Sequence, residues 1–148
     1  MREKVRKEMM SPEERIERAG RSAETKVNRV LEKMKREGQI KRYTHSPKWS
    51  EKDLQGIDFT IYLQEESEEF CVYIQVKSNI FPISTAKRFR LRKIRPGIWQ
   101  RGKIYSIAAG NHKSEEQVKK TILKILEIEK NQKQSKRKRH KQNKRMSV

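Results

Sequence analysis

Asp58, Gln75 and Lys77 are the side chains whose types and spacing point to chemistry on a phosphate. Asp58 lies in the run Gly56-Ile57-Asp58-Phe59-Thr60-Ile61-Tyr62-Leu63, and the other two lie in Val72-Tyr73-Ile74-Gln75-Val76-Lys77-Ser78. Both runs alternate with a period of two, the pattern of a half-buried strand. Ile57, Phe59, Ile61 and Leu63 share one face of the first, so Asp58 points the other way. Val72, Ile74 and Val76 share a face of the second, so Gln75 and Lys77 share the opposite one. The polar stretch Gln64-Glu65-Glu66-Ser67-Glu68-Glu69 between them suits a hairpin loop. An antiparallel pair then sets a carboxylate, an amide oxygen and an ammonium side by side. Hard cations take such oxygen ligands, and a phosphate is attracted to both the cation and the ammonium.

The rest of the chain supplies elements to frame this hairpin. Ser11-Pro12-Glu13-Glu14 combines an N-cap serine, a proline at the first helical position and a glutamate that completes a capping box. Ile16, Ala19, Ala23, Val27, Val30, Leu31 and Met34 then recur at helical spacing up to Gly38, which predicts an amphipathic helix of about seven turns with Glu24 at the rim of its apolar stripe. Residues 39–44 read as a short edge strand. Residues 45–50 read as a loop, with Trp49 a lid on the core or, alternatively, a platform for a base. A short helix is expected at 84–94, stopped by Pro96-Gly97. Residues 103–109 are a compact apolar strand expected at the centre of the sheet and ended by Gly110. Ser114-Glu115-Glu116-Gln117 opens a second capped helix whose apolar stripe stops at Ile128.

Of 148 residues, 39% are charged and 32% hydrophobic, and the formal net charge is +19. Such an excess is the electrostatic footprint of a protein that meets a polyanion, most often nucleic acid. From 78 to 103 there is no acidic residue, yet Lys87, Arg88, Arg90, Arg92, Lys93, Arg95 and Arg101 all fall there. Phe81, Phe89, Leu91, Ile94 and Trp99 are interleaved, so the segment packs on something. It reads as a phosphate-contacting wall beside the hairpin, against the plainer reading of a solvated surface. Residues 1–10 form a basic N-terminal extension, 11–129 the folded domain, and 130–148, with nine basic residues and no acid, a disordered tail that tethers polyanions. Cys71 is the only cysteine, which excludes a disulfide within the chain and a cysteine zinc site, and His45, His112 and His140 lack ligand spacing. No apolar run reaches transmembrane length and the N-terminus has no signal-peptide core, so no membrane contact and a cytoplasmic location are expected.

The Asp in the second strand, Gln75-Val76-Lys77 in the third and Glu24 on the preceding capped helix make residues 11–129 similar to the PD-(D/E)XK nuclease superfamily, nearest its Holliday-junction-resolvase-like and Mrr-type restriction branches. The resemblance implies an α/β (α+β), restriction-endonuclease-like αβββαβα core, with a mixed central sheet flanked by helices. It implies a metal-dependent endonuclease that hydrolyses phosphodiester bonds, with DNA (a junction, repair or restriction substrate) ahead of RNA. It further implies Mg2+, with Mn2+ as a substitute, held by Asp58, the Gln75 amide oxygen and the Val76 carbonyl. Lys77 would orient or help deprotonate the attacking water, and Glu24 would hold metal-bound waters from the helix. Resolvase-like members work as dimers, so a homodimer is an expectation, although no dimer stripe stands out. The chain departs from the pattern at two places. Gln75 stands where an acid is commoner, as it does in Mrr-like members, and Gly56-Ile57 precedes Asp58 where the family has proline. An amide removes one negative charge from the metal cage, which keeps a second reading open: a non-catalytic nucleic-acid-binding protein on a nuclease fold.

Overall fold

The computed structural model describes residues 11–78 and 91–146, with the backbone alone at 16–17 and 137–146. The N-terminal extension and Lys87, Arg88 and Arg90 therefore lie outside the described residues. In chain order the elements are α1 (Pro12–Arg36), β1 (Arg42–His45), α2 (Glu51–Leu54), β2 (Phe59–Glu65), β3 (Glu68–Lys77), β4 (Arg92–Arg95), β5 (Ile98–Arg101), β6 (Ile104–Ala108) and α3 (Glu115–Met146). The strands form one mixed sheet in the order β1-β2-β3-β6-β5-β4, parallel only between β3 and β6. The apolar strand β6 sits in its interior and β1 on an edge, as the sequence predicts.

Both long helices begin on the serines that the capping patterns mark. Ser11 Oγ accepts the Glu14 N–H at 3.2 Å. Ser114 and Gln117 exchange two bonds, 3.1 Å from the Gln117 N–H to Ser114 Oγ and 2.9 Å from the Ser114 N–H to Gln117 Oε1, the reciprocal form of the capping box. Behind α1, Gly38 takes φ 76°, a left-handed conformation open to glycine. Ala23, Val27, Val30, Leu31 and Met34 of α1 and Val118, Ile122, Ile125 and Leu126 of α3 share one core with Phe59, Ile61, Val72, Ile74, Ile98, Tyr105 and Ile107. These strand residues are cross-strand partners, so both helices cover one face of the sheet. Tyr105, fully buried, donates to Glu129 Oε1 at 2.7 Å and ties β6 to α3. No helix among the described residues is long and apolar enough to cross a membrane.

Three segments differ from expectation. The hairpin strands run on to Glu65 and Glu68, leaving a two-residue turn in which Glu66 has φ 54°. The extra acids find partners: Glu69 meets Lys41 at 2.6 Å and Arg42 at 3.0 Å. Residues 92–95 are an edge strand rather than the end of a helix. Pro96-Gly97, with Gly97 at φ 80°, is a hairpin turn that returns the chain into β5, and this pair enlarges the sheet to six strands. Residues 84–90 of the expected helix lie outside the described residues; at 92–95, β5 supplies the backbone partners that make a strand. Finally, α3 continues through Met146 where a disordered tail is expected. The extension has no glycine or proline and is rich in Lys, Arg and Gln, all good helix formers, so its backbone propensity carries the helix beyond its apolar stripe. At the junction Lys133 Nζ lies 4.0 Å over the Phe70 ring and covers it.

Candidate active site

The residues singled out for chemistry gather at one end of the sheet, where β3 and β6 finish and β2 begins. Asp58 immediately precedes β2. Its N–H donates to the Ile74 carbonyl at 2.9 Å and its carbonyl accepts from the Ser46 N–H at 2.8 Å, so its backbone is held from both sides. Its side chain reaches β3: Oδ2 accepts the Val76 N–H at 2.7 Å. Lys77 spends its carbonyl on the Ala109 N–H at 2.8 Å, on the β6 side. Successive backbone groups alternate along a strand, so the Val76 carbonyl faces the Asp58 side. Burial is the main reason the Asp58 carboxyl is pushed up to about 6; the Val76 N–H opposes it, the negative charges of Glu24 and Asp53 add to it, and His45 pulls it back.

Gln75 is held by a residue that the sequence reading passed over. Ser106, 1% exposed on β6, donates its hydroxyl to Gln75 Oε1 at 3.1 Å. An amide oxygen has two lone pairs, so this bond orients the group and leaves a second position for a cation. On the other side lies Gly56, at φ 87°. A Cβ there would stand 3.1 Å from Gln75 Nε2 and 3.3 Å from Arg101 Nη2. The bare glycine thus leaves room for both side chains to pack against this turn. Arg101 donates from Nη2 to the Gln55 carbonyl at 3.0 Å. Gln75, Lys77, Leu91 and Arg101 line a pocket of about 120 Å³.

Glu24 stands on the same end of the molecule, across from Asp58, and its Oε2 lies 3.4 Å from His45 Nε2. His45 is stacked on Phe59 with ring centroids 4.5 Å apart. Among the described residues no three His, Cys, Asp or Glu side chains form a group able to hold a metal ion. A cation would therefore rest on Asp58 with the neutral oxygens of Gln75 and Val76, with Glu24 outside that set. The donors are all hard oxygens, the kind of ligand that Mg2+ takes.

The basic residues divide. Gln75, Ser106, Trp99 and Lys93 are successive cross-strand partners and point from one face of the sheet. Three strand spacings put Lys93 about 14 Å from Gln75. Arg101 borders the pocket itself. Arg92 pairs with Gln100, one residue out of step with Lys93, and faces the other way; Arg95 lies at the hairpin turn and donates to the Ile94 carbonyl. Trp49 does not lid the core: it is 73% exposed, at φ 69°.

Just past β6, Gly110 abuts the chain that leaves β3. A Cβ on Gly110 would come within 2.1 Å of the Ser78 carbonyl oxygen, and Lys26 Nζ clamps the same turn through the Gly110 and Lys113 carbonyls, at 2.7 Å each. Gly110→Ala should therefore displace Ser78 beside Lys77, cost about 1–3 kcal/mol and lower the thermal midpoint by roughly 3–10 °C. Circular dichroism melts would measure it, and an unchanged midpoint would show that the Ser78 turn yields freely.

No protein-family model matches the chain, and no curated protein and no solved structure matches it either. What stands is a mixed α/β protein with a six-stranded sheet, carrying a polar, partly buried cluster at the carboxyl ends of its parallel strand pair.

Proposed function

We propose that the protein is a metal-dependent endonuclease of the PD-(D/E)XK type that hydrolyses phosphodiester bonds in DNA. The observation that carries this reading is the convergence of Asp58, the Gln75 amide, the Val76 backbone and Lys77 on one end of one hairpin, with Arg101 beside them. Asp58, Gln75 and the Val76 carbonyl would hold Mg2+, or Mn2+ in its place. Bound there, the cation neutralises charge developing on the phosphate and lowers the pKa of a water. Lys77 orients the attacking water and offers its ammonium to the same developing charge. Arg101 draws a phosphate oxygen to the pocket, and Ser106 fixes the orientation of the Gln75 amide through its oxygen, whose second lone pair is the one left for the cation. Glu24 contributes field rather than a ligand bond.

A non-catalytic nucleic-acid-binding protein is the second reading. It is favoured by the neutral Gln75 and by the lack, among the described residues, of a three-carboxylate or histidine cage. Incubation of purified protein with supercoiled plasmid and with a four-way junction, in Mg2+ or Mn2+ against EDTA, separates the two. Cutting that requires the metal is expected. Salt-sensitive binding without cutting in either metal would assign the chain to the second reading.

A further inference from the structure

The cleft between α1 and the loop joining β1 to α2 opens next to the Asp58 end of the sheet, yet most of its lining plays no part in the chemistry above. It measures about 530 Å³ and is bounded by Gly20, Arg21, Glu24, His45, Ser46 and Lys48. That lies within the roughly 300–1,000 Å³ typical of small-molecule sites. Ser46 is 8% exposed, and its hydroxyl has no hydrogen-bond partner in the protein, its N–H being spent on the Asp58 carbonyl. Buried hydroxyls are almost always paired, so one that lines a cleft without a partner marks a place for a ligand oxygen. Gly20 points to the same use. A Cβ there would meet nothing within 4 Å, so packing does not demand the glycine, although glycine weakens a helix interior. It lines the cleft and adds no side chain to that wall. Glu24, the one carboxylate on that wall, is turned to His45.

Beside Ser46 the loop presents an indole to water. Trp49 is held in the left-handed region, which bulky residues avoid, by its N–H donating to Asp53 Oδ2 at 2.9 Å; Asp53 is fixed in turn by Ser50 Oγ. Strain of this kind persists where the surroundings impose it, and here they impose the exposure of an aromatic ring. Lys48 Nζ lies 5.8 Å from that ring.

We propose that this cleft and Trp49 together form a subsite for one unpaired nucleotide of a nucleic-acid strand. Arg21, Lys48 and the Ser46 hydroxyl receive its phosphate, and Trp49 stacks on its base. A base inside a duplex is covered on both faces, so only an unpaired or turned-out base offers one to an indole. The inference rests on the reading that this protein meets nucleic acid, but not on its cutting it.

The test uses the full chain in EDTA, so that cleavage cannot intervene, with a labelled single-stranded oligothymidylate and a duplex of equal length. The single strand should quench tryptophan emission. Trp49→Ala should abolish most of that quenching and weaken single-strand binding about tenfold; Trp49→Phe should restore binding, and duplex affinity should be unmoved. Ser46→Ala should weaken the single strand by roughly two- to tenfold. Equal single-strand affinity in wild type and Trp49→Ala overturns the inference alone, as does an equal loss on both probes. Failure of the wild type to bind either probe overturns it together with the functional reading.

Discussion

In the Lys77→Ala protein, magnesium-dependent cleavage should fall by roughly 10²–10³-fold, the usual loss when a single group that stabilises transition-state charge is removed. Affinity for uncut DNA in EDTA should change by less than about threefold, because one lysine is a small part of the phosphate-neutralising charge. The separation follows from where Lys77 lies. Its carbonyl is bonded to the Ala109 N–H, so the backbone stays in the β3–β6 ladder whatever the side chain is. The side chain itself borders the pocket with Gln75 and Arg101. The chain carries a net charge of +19, so non-specific attraction survives the loss of one positive group. Lys77→Arg should not restore the rate, since a planar guanidinium cannot place a compact charge where the ammonium stood. Parallel assays of binding and of single-turnover cutting decide the matter. Loss of both in equal measure would reduce Lys77 to a phosphate contact. Undiminished cutting would move the active site off this hairpin.

The hairpin was legible in the sequence because a half-buried strand writes its two faces into alternate positions. Asp58, Gln75 and Lys77 stand out as polar residues alternating with Ile57, Phe59, Ile74 and Val76, and the Phe59–Ile74 pairing, continued by one residue, sets Asp58 opposite Gln75. Ser106 carried the same signal more faintly, as the polar residue between Tyr105 and Ile107 in a run otherwise read as uniformly apolar. What was not legible was context. Pro96-Gly97 ends a helix or turns a hairpin equally well, and only the free edge of β6, which β5 takes, selects the hairpin. In residues 130–146, charge argues for disorder while backbone propensity argues for helix, and local hydrogen bonding decides. Trp49 misled for a different reason. Composition makes tryptophan a core residue by default, and nothing local reveals that Asp53 and Ser50 hold this one outwards.

Asp58→Asn should abolish metal-dependent cutting and, at the same time, stabilise the metal-free protein at neutral pH. The carboxyl titrates near 6 in the fold against 3.8 ordinarily, chiefly because it is buried. Between those values the unfolded chain has released a proton that the folded protein still holds. The stabilisation conferred by protonated Asp58 is thus complete below about pH 4 and lost as pH rises through about 6. At about 1.4 kcal/mol per pH unit, the rise from 3.8 to about 6 corresponds to about 3 kcal/mol, and solvent screening of a carboxyl that is not fully buried brings the neutral-pH penalty to on the order of 2 kcal/mol. Asparagine escapes it, because its amide oxygen still accepts the Val76 N–H. Melts of both proteins in EDTA should therefore diverge between pH 4 and 6, with the variant higher, and run parallel above. Glu69 works in the opposite sense, its carboxyl being lowered first by Lys41, so its stabilisation is lost as pH falls; it is common to both proteins and cancels in the difference. Adding Mg2+ should raise the midpoint of the wild type alone, since only a deprotonated carboxylate repays the cation. A variant less stable at every pH would make Asp58 structural, and equal stabilisation of both proteins by Mg2+ would place the cation elsewhere. A residue that weakens the fold where it stands and is relieved by a cation is what an active site, rather than a core, would retain.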